Sequence, residues 1–423
     1  MNRMINKYDI IVAGGGLSGV CAAISASRMG KNVCLIEKHN CLGGAASHSL
    51  VMPFMPYWTT DPKTKEKIEL SRGLFKEIIN SLEKIGGVHP SWRECFNEEA
   101  LKLVLNRMAT ESGVHILFQA QIISAEVEKK SIKSVKINHV GGQNTLFADY
   151  FVDATGDGSL CQMAGFEFML GRVKDGLCQP MTLSFRLANV NIPLFEKTHK
   201  QMNELYKKFK RENKIKNPRE NILAFKTTHD GILHFNATRV VNLNPTDVED
   251  LTVAELMGRE QVYELYSFLK ENIEAFKNAT LLSTGMQIGV RESRRIVGEH
   301  ILTEEEIVAA TKFEDGIAAC NYDIDIHNPS GEGTSHYYFK DGEYYTVPYR
   351  CLIPAGAKNI LVAGRCISAT HEAQASLRTM PTCATLGQAA GTALALAHTG
   401  REAVGEIDIK ELQRILVSKG AFL

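Results

Sequence analysis

The first forty residues alternate between apolar runs and a stretch of small residues, in an order that predicts a strand, a helix and a second strand. Residues 8–13 are almost wholly apolar, which is typical of a strand buried on both faces. Residues 20–27 are mostly small and predict a closely packed helix, and the run 32–36 predicts a second strand that ends in Glu37. Because parallel strands need a crossover between them, this pattern predicts a β-α-β unit.

A glycine-rich turn joins the first predicted strand to the helix. The turn reads Gly14-Gly15-Gly16-Leu17-Ser18-Gly19. Gly14 permits a tight turn, Gly16 lets backbone N–H groups approach a pyrophosphate, and Gly19 lets the helix pack closely on the strand. The pyrophosphate would lie at the positive end of the helix, and Glu37 would accept hydrogen bonds from a ribose. The combination predicts a dinucleotide site, the alternative being a glycine turn without a ligand.

The rest of the pattern divides the chain into three parts, 1–166, 167–344 and 345–423. The predicted elements are helices at 71–85 and 98–111, strands at 114–118, within 122–140 and at 147–154, then an alternating strand at 181–190, helices at 193–214 and 253–276, a loop-rich stretch at 323–345, a strand at 359–362 and helices at 380–391 and 409–418. This organisation predicts an α/β fold: a Rossmann-like domain with a parallel sheet built from both ends of the chain, and an inserted α+β domain that caps it.

Charge and cysteine content exclude several classes of partner. The 423 residues carry a formal net charge of zero, which argues against nucleic acid or a membrane surface as the main partner. The apolar stretch near the start is too short for a signal peptide or a membrane span. Ten cysteines without a C-x-x-C pair argue against zinc, an iron–sulfur cluster or a disulfide framework. We therefore expect reduced thiols and a cytoplasmic protein.

Three further stretches favour FAD over NAD as the dinucleotide. A second glycine pair, Gly43-Gly44, follows Glu37-Lys38 where a flavoprotein loop would pass along the pyrophosphate. The predicted strand at 151–154 runs into Ala154-Thr155-Gly156, which resembles the A-T-G segment of flavoproteins with two dinucleotide folds. A third strand ends at Gly364-Arg365 and is followed by a helix that starts at Met380-Pro381-Thr382-Cys383. Proline suits a first helical turn, and the positive end of such a helix would stabilise a reduced flavin.

The arrangement resembles the FAD-dependent oxidoreductase family with the glutathione-reductase-type FAD fold, in the branch related to fumarate reductase flavoproteins. The stretches 364–372 and 291–296 are similar to signatures of one broad bacterial family. The resemblance implies an FAD domain, with Ile122 contacting the adenine through its backbone. His48 invites comparison with the histidine that binds flavin covalently in succinate dehydrogenases; its context differs, so we expect non-covalent FAD and a polar side chain lining the flavin pocket.

The sequence matches the motifs of other flavoprotein classes less well. Disulfide reductases of this fold need two cysteines after the glycine loop, whereas only Cys41 lies near it. Flavin monooxygenases and halogenases have signatures such as a tryptophan-rich loop, and this chain has two tryptophans, Trp58 and Trp92, and no such loop. Iron–sulfur relatives need series of cysteines that are absent from the sequence.

The catalytic candidates come from the predicted cap and from the stretch after Gly364. Arg291, Arg294 and Arg295 fall within about one helical turn, which would place Arg291 and Arg295 on one face. They would either pair with acids such as Glu292 or grip a carboxylate, and Arg291 is the preferred candidate for the grip.

Two histidines and an acid complete the candidates. His371 would carry a proton or merely hydrogen-bond the cofactor. Glu372 follows it, and Arg378 would either stabilise the flavin or pair with Glu372. His336, in the loop-rich stretch, is a weaker candidate for substrate contact.

Two functional classes remain open. The favoured one is an FAD-dependent dehydrogenase or reductase that transfers a hydride between flavin N5 and a small polar metabolite, anionic metabolites included. The alternative is a non-redox flavoprotein in which FAD is structural or positions a substrate, as in isomerase-type or RNA-modifying members of the fold. The expected partners are a small-molecule substrate and an unidentified electron partner. We expect neither nucleic acid nor a membrane as a partner, and the sequence leaves open whether the chain forms a homo-oligomer.

Overall fold

The computed structural model describes residues 6–423, and its strands form one large sheet and several small ones. In chain order the strands are β1 (Lys7–Ala13), β2 (Val33–Glu37), β3 (Trp58–Thr60), β4 (Lys67–Glu69), β5 (Val88–His89), β6 (Trp92–Phe96), β7 (His115–Phe118), β8 (Gln121–Glu128), β9 (Ser131–His139), β10 (Gly142–Asp153), β11 (Phe168–Leu170), β12 (Phe185–Ala188), β13 (Ala224–Lys226), β14 (Leu233–Phe235), β15 (Thr280–Thr284), β16 (Arg294–Ile296), β17 (Gly316–Cys320), β18 (Ile324–His327), β19 (Thr334–Tyr337), β20 (Tyr345–Pro348) and β21 (Ile360–Val362).

The helices lie mostly on the two faces of the large sheet and over the inserted part. They are α1 (Leu17–Ser27), α2 (Ala45–His48), α3 (Leu74–Lys84), α4 (Glu98–Glu111), α5 (Ser159–Met163), α6 (Ile192–Arg211), α7 (Val248–Asn272), α8 (Glu304–Val308), α9 (His371–Leu377), α10 (Met380–Gly400) and α11 (Ile409–Ser418), with short 3-10 helices at Glu274–Phe276 and Tyr349–Leu352. Among the residues described, no helix is both long enough and apolar enough to cross a membrane.

The large sheet joins the two ends of the chain. Its parallel part runs in the order β7-β2-β1-β10-β21, and β8, β9 and the first half of β10 form an antiparallel meander. Ala13 pairs with Asp153, and Asp153 pairs with Val362, so three strands end at one level. This mixed sheet with flanking helices confirms the predicted α/β, Rossmann-like fold, and it places three strand-to-loop turns together.

Helices α1 and α10 pack unusually closely because small residues line their contact. A Cβ atom on Gly387 would overlap the carbonyl oxygen of Ser18, and one on Gly391 would overlap that of Ala22. The contact is closed by a hydrogen bond of 2.7 Å between the hydroxyls of Ser25 and Thr392. The two helices therefore run in the same direction with their backbones in contact, and α10 extends more than one turn beyond the N-terminus of α1.

The inserted part contains an antiparallel sheet of order β13-β14-β12-β15, covered by α6 and α7. Apolar residues between Met181 and Ile288 form a hydrophobic core of its own. By contrast, buried residues from Ile296 to Ile353 belong to the core of the large sheet. The sequence boundaries at 166/167 and 344/345 stay a prediction.

Several predicted elements differ from the observed ones. The strand expected at 181–190 is reduced to β12, and the loop-rich stretch 323–345 contains the hairpin β18–β19. The prediction that Arg291 and Arg295 share one face of a helix is wrong, because Arg294–Ile296 is strand β16, paired with β11. Helix α7 begins before residue 253, because the Asp247 side chain accepts hydrogen bonds from the N–H groups of Glu249 and Asp250 and caps the helix there.

Candidate active site

Glycine is present at positions 14, 16 and 19 of the first turn for different structural reasons. Gly14 has a φ of +96°, and a Cβ there would lie 2.6 Å from the carbonyl oxygen of Ala154. A Cβ on Gly19 would overlap the carbonyl oxygen of Gly14. Gly16 has an ordinary φ of −66°, and its Cβ would meet nothing closer than the Gly44 Cα at 3.9 Å. The fold therefore requires Gly14 and Gly19, whereas at Gly16 it leaves open space on the cleft side, which fits a ligand that approaches the backbone.

Glu37 and the second glycine pair hold this turn in shape. The Glu37 carboxylate is 5% exposed and accepts hydrogen bonds from the N–H groups of Gly15 at 2.6 Å and His39 at 2.9 Å. The Gly43 N–H donates to the Gly15 carbonyl at 2.9 Å. A Cβ on Gly44 would lie 2.8 Å from the Gly16 Cα, so the two loops touch backbone to backbone.

A cavity of about 300 Å³ and a smaller one of about 140 Å³ follow these loops and share several lining residues. The predicted cofactor residues that line the larger cavity are Gly14, Gly16, Leu17, Ser18, Glu37, Lys38, Gly43, Gly44, Ala154, Thr155, Gly156, Gly364, Arg365, Met380 and Cys383. Ile122 lines the smaller cavity together with Gly14, Glu37, Lys38 and Thr155. Two predicted residues lie outside both: Gly19 packs in the turn, and Thr382 is buried and hydrogen-bonds Thr379.

Two helix N-termini open into the larger cavity. Helix α1 begins after Gly16 and α10 after Thr379, and neither has a side-chain cap or an acidic residue in its first turn. The first N–H groups of a helix have no partner within the helix and carry its positive end. The chain therefore places two uncapped positive ends at a cleft lined by backbone, which suits phosphate groups and an electron-rich ring.

Arg365 is held by an acid rather than left free. Its guanidinium forms an ion pair with Asp157, and Asp157 also accepts a hydrogen bond of 2.7 Å from the Ser293 hydroxyl. Burial works against ionisation of Asp157, but the charge of Arg365 and the Ser293 hydrogen bond hold its pKa below the usual range. Gly156 lies against the Arg365 guanidinium, so this pair fixes the turn after β10.

The cavity also has lining residues that the sequence motifs do not reveal. They include His39, Ser49, Asp157, Pro245, Leu251, Glu255, Gln287, Ile288 and Val290. Leu251 and Glu255 come from α7, and Glu255 accepts a hydrogen bond of 2.6 Å from the Ile288 N–H. No local pattern marks such residues, because only the packing of α7 over the sheet brings them to the cleft.

His48 lies at the cleft, as expected of a polar side chain that lines the pocket. Its Nε2 is 3.2 Å from the Cys41 sulfur, and its ring packs against that of His39 with 4.2 Å between centroids. Burial, with a smaller contribution from His39, lowers the pKa of His48 to about 4. The imidazole is therefore neutral around pH 7.

His371 occupies a buried polar network rather than the cavity wall. Its Nδ1 lies 2.8 Å from a Glu292 oxygen, and Glu292 also forms an ion pair with Arg295. Arg295 further donates to the carbonyl oxygens of Ala369 and Gly171 at 3.0 and 2.8 Å. The pairing of arginine with Glu292 that the sequence left open is thus present for Arg295. The buried Nε2 of His371 has no hydrogen-bond partner within residues 6–423.

Neither Glu372 nor His336 lines the cavity. Glu372 is close to Glu304 of α8, whose pKa is raised by burial and by the Glu372 charge. His336, on β19, places its Nδ1 2.7 Å from Asp323 and its Nε2 3.7 Å from Asp325. The alternative pairing of Arg378 with Glu372 is not the observed one, because Arg378 contacts Asp325 at 3.4 Å.

Four arginines converge beside the cavity, and we call them, with the acids they contact, the arginine cluster. Its members are Arg219, Arg239, Arg291 and Arg378 with Glu220 and Asp325. Arg239 pairs with Glu220 at 3.0 Å, and Arg378 reaches from the cavity wall to Asp325. Among the residues described, the Arg291 side chain donates to three neutral groups: the Pro180 carbonyl at 2.7 Å, the Thr182 hydroxyl at 2.6 Å and Asn236 at 3.2 Å.

His327 sits inside the cluster as a neutral ring. Its Nδ1 accepts from Arg239 at 3.0 Å and Arg219 at 3.2 Å, so its Nε2 carries the hydrogen that points to Asp325 at 3.3 Å. Burial and the charge of Arg291 hold the pKa of His327 well below its usual range. Four guanidinium groups thus face two carboxylates.

The excess charge falls on Arg291. Burial lowers the pKa of Arg291 well below the usual range, and the charges of Arg378 and Arg219 lower it further. Arginine stays protonated in proteins, so a buried Arg291 charge without a carboxylate partner is unfavourable for the folded protein. Within residues 6–423, Arg291 has no carboxylate at ion-pair distance. An anion that entered beside it would relieve this cost.

The chain belongs to the FAD-dependent oxidoreductase family, whose signature it matches over residues 9–416. FAD is accordingly its cofactor, and the loops described above are the residues that fit it.

Similar proteins match part of the chain. A digeranylgeranylglycerophospholipid reductase of Methanoculleus marisnigri is 27% identical over 172 residues, which is 38% of this chain and 41% of that protein. A soluble pyridine nucleotide transhydrogenase of Vibrio cholerae is 26% identical over 153 residues, 36% of this chain and 31% of that protein. The chain thus spans less than half the length of these relatives.

Among solved structures, a geranylgeranyl bacteriochlorophyll reductase-like protein of Thermoplasma acidophilum aligns over 99% of this chain and 92% of its own. The sequence identity is 12% and the TM-score 0.45. A flavin-dependent brominase aligns over 97% and 84% with 13% identity and a TM-score of 0.48.

Proposed function

We propose that this FAD-dependent oxidoreductase transfers a hydride between flavin N5 and a small anionic metabolite that is held by Arg291 and Arg378. When bound, FAD supplies a two-electron carrier. The observation that carries the anionic class is Arg291, whose hydrogen-bond partners within residues 6–423 are neutral and whose neighbour Arg378 lines the cavity. A carboxylate is the natural ligand for such a pair, because a planar guanidinium binds it through two parallel hydrogen bonds.

The chain's own residues would bind, orient and shield this substrate. Pro180, Thr182 and Asn236 fix the Arg291 fork, and the Asp325 contacts hold Arg378. Burial opposes ionisation of Asp325, yet the His327 hydrogen bond and the charges of Arg378 and Arg291 keep its pKa below the usual range. Asp325 therefore remains an anion, and it limits the excess charge without cancelling it.

The proton carrier predicted from the sequence, His371, is retained as part of the proposal. Its Nδ1 is engaged by Glu292, and its ring does not line the cavity, so a proton would have to pass through the buried Nε2. A histidine whose other nitrogen is oriented by a carboxylate is a common acid–base arrangement. A purely structural ion pair would have the same contacts, and the effect of His371→Ala on turnover distinguishes the two roles.

The test is to photoreduce the FAD-bound protein without oxygen and mix it, in a stopped-flow instrument, with a panel of unsaturated and 2-oxo carboxylates. The oxidised protein is mixed in parallel with hydroxy and amino acids. We expect rapid flavin oxidation or reduction with at least one carboxylate, and none with its neutral amide. Arg291→Gln should weaken binding of that carboxylate strongly while the flavin spectrum stays unchanged.

Arg172→Gln is the matched control, because Arg172 is an arginine whose charge Asp175 neutralises at the surface. It should behave like the parent. A substrate that binds equally well as its amide would overturn the anionic class. A flavin that resists photoreduction would instead favour the alternative of a structural FAD.

A cytoplasmic location is proposed from the cysteines alone. All ten are free thiols and nine are buried, an arrangement suited to a reducing compartment.

A further inference from the structure

Two aspartates and a histidine from distant parts of the chain meet at the large sheet. Asp9 of β1 lies level with Asp149 of β10, because the two strands are paired in parallel register there. His398, in the last turn of α10, reaches both carboxylates. One imidazole nitrogen and one oxygen from each aspartate all lie within 4.8 Å of one another.

The two aspartates place like charges side by side on neighbouring strands. Such a pair is unfavourable unless a cation lies between its members. Within residues 6–423, neither carboxylate is at ion-pair distance from a lysine or an arginine, and His398 is the partner of both. The arrangement therefore leaves negative charge that a bound cation would neutralise.

The distances from the histidine suit metal coordination better than hydrogen bonding. The Nε2 atom of His398 lies 3.4 Å from an oxygen of Asp9 and 3.4 Å from an oxygen of Asp149. A charge-assisted N–H···O bond is about 2.7–2.9 Å long. Two ligand atoms of a tetrahedral zinc ion, with bonds of about 2.0–2.1 Å, lie about 3.4 Å apart. The imidazole nitrogen thus stands where a metal ion shared with both carboxylates requires it.

Neighbouring groups already orient two of these side chains. The second oxygen of Asp9 accepts a hydrogen bond of 2.8 Å from the Asn32 N–H, which leaves the first oxygen to face His398. The His398 ring packs edge-on against the Tyr150 ring, with 6.1 Å between centroids. Contacts of this kind fix the ligands of a metal site before the ion arrives. A cavity of about 880 Å³ lined by Asp149 and His398 gives solvent and ions access.

We propose that Asp9, Asp149 and His398 bind Zn²⁺, with water from the adjoining cavity as the fourth ligand. Imidazole nitrogen and carboxylate oxygen are both ordinary zinc ligands. The cysteine spacing argues against a thiolate zinc site, whereas this site contains no thiol. The ion fastens the last turn of α10 to β1 and β10, so the proposal does not depend on which substrate the flavin reduces or oxidises.

The first test is calorimetric titration of the FAD-bound protein with Zn²⁺, after metal has been removed with a chelator and the chelator has been dialysed away. We expect one Zn²⁺ per chain at micromolar concentration. Asp149→Asn and His398→Gln should each weaken binding at least about tenfold, because each removes a ligand. His300→Gln is the matched control, because His300 is a partly exposed histidine that pairs with one carboxylate, Glu306, at 3.0 Å. It should bind zinc like the parent.

The second test is X-ray absorption at the zinc edge of the parent protein loaded with one equivalent of Zn²⁺, which needs no variant to fold. We expect nitrogen and oxygen neighbours at about 2.0–2.1 Å with the scattering pattern of a single imidazole. A zinc–sulfur distance of about 2.3 Å would place the ion on a cysteine instead. That result, the absence of binding at micromolar Zn²⁺, or binding that survives both Asp149→Asn and His398→Gln would each overturn the proposal.

Discussion

Replacing Gly16 with valine separates cofactor binding from folding. Gly16 has backbone angles that any residue adopts, and a Cβ there lies 3.9 Å from the nearest protein atom. The cost of Gly16→Val to the free energy of unfolding, measured without FAD, should stay within about 1 kcal/mol. The branched side chain would stand where the uncapped N–H groups of α1 meet the pyrophosphate.

The loss of affinity follows from those N–H groups. Hydrogen bonds to a charged group contribute about 1.5 to 3 kcal/mol each, and two of them together contribute about 4 kcal/mol. Since about 1.4 kcal/mol corresponds to a tenfold change, the Kd for FAD should rise about a thousandfold. The measurement is titration of the FAD-free protein by calorimetry, with the ratio of absorbance at 450 and 280 nm as a check.

Two other glycines serve as controls. Gly405→Val places the same side chain in open space at an exposed turn and should leave FAD affinity unchanged. Gly19→Ala should lower the yield of folded protein, because its Cβ would overlap the Gly14 carbonyl oxygen. If Gly16→Val bound FAD as tightly as the parent, the assignment of the turn to the pyrophosphate would be wrong. FMN in the acid extract would likewise contradict the role of Glu37.

Other perturbations test the site and the cap. Acid precipitation should release FAD into the supernatant, and a yellow pellet would contradict non-covalent binding. Arg291→Lys, which keeps the charge but loses the planar fork of the guanidinium, should raise the KM for an anionic substrate about tenfold with little change in kcat. An unchanged KM would refute the proposed grip of Arg291 on the substrate. His371→Ala should lower turnover by about two to four orders of magnitude with an unchanged flavin spectrum, whereas lost stability with normal turnover would show a structural pair with Glu292. Burial, with a smaller effect of Arg186, lowers the pKa of His234 to about 3. As the pH falls from 6.5 to 3, the unfolded chain binds a proton at His234 before the folded protein does, so about 4 kcal/mol of stability should be lost. Urea unfolding should show a smaller loss of stability over that range for His234→Phe than for the parent.

The sequence predicts the cofactor half of the molecule well because its determinants are local. Gly14 and Gly19 are required by contacts within a few residues or with the adjoining strand, and Glu37 ends a strand whose apolar run is plain. Helix α4 is found at its predicted bounds because Asn97 caps it and Glu98 follows in its first turn.

The catalytic half depends on contacts between distant residues. Glu292 lies next to Arg291 in sequence, yet it joins Arg295 to His371, which lies 79 positions further along the chain. Arg378 pairs with Asp325, which comes from the β18–β19 hairpin, and no pattern in either segment announces the other. The charge excess at Arg291 is a property of the whole cluster, so no single motif could reveal it.

The contact between α1 and α10 has a consequence for the order of events during synthesis. Helix α1 begins at Leu17 and α10 at Met380, and strand β21 completes its side of the sheet only at Ile360–Val362. A nascent chain on the ribosome thus has its phosphate turn early, but it lacks one of the two positive helix ends until almost the entire polypeptide has emerged. Loading of FAD must therefore come late, and a ribosome that stalls before Met380 would leave a chain that cannot complete its flavin pocket.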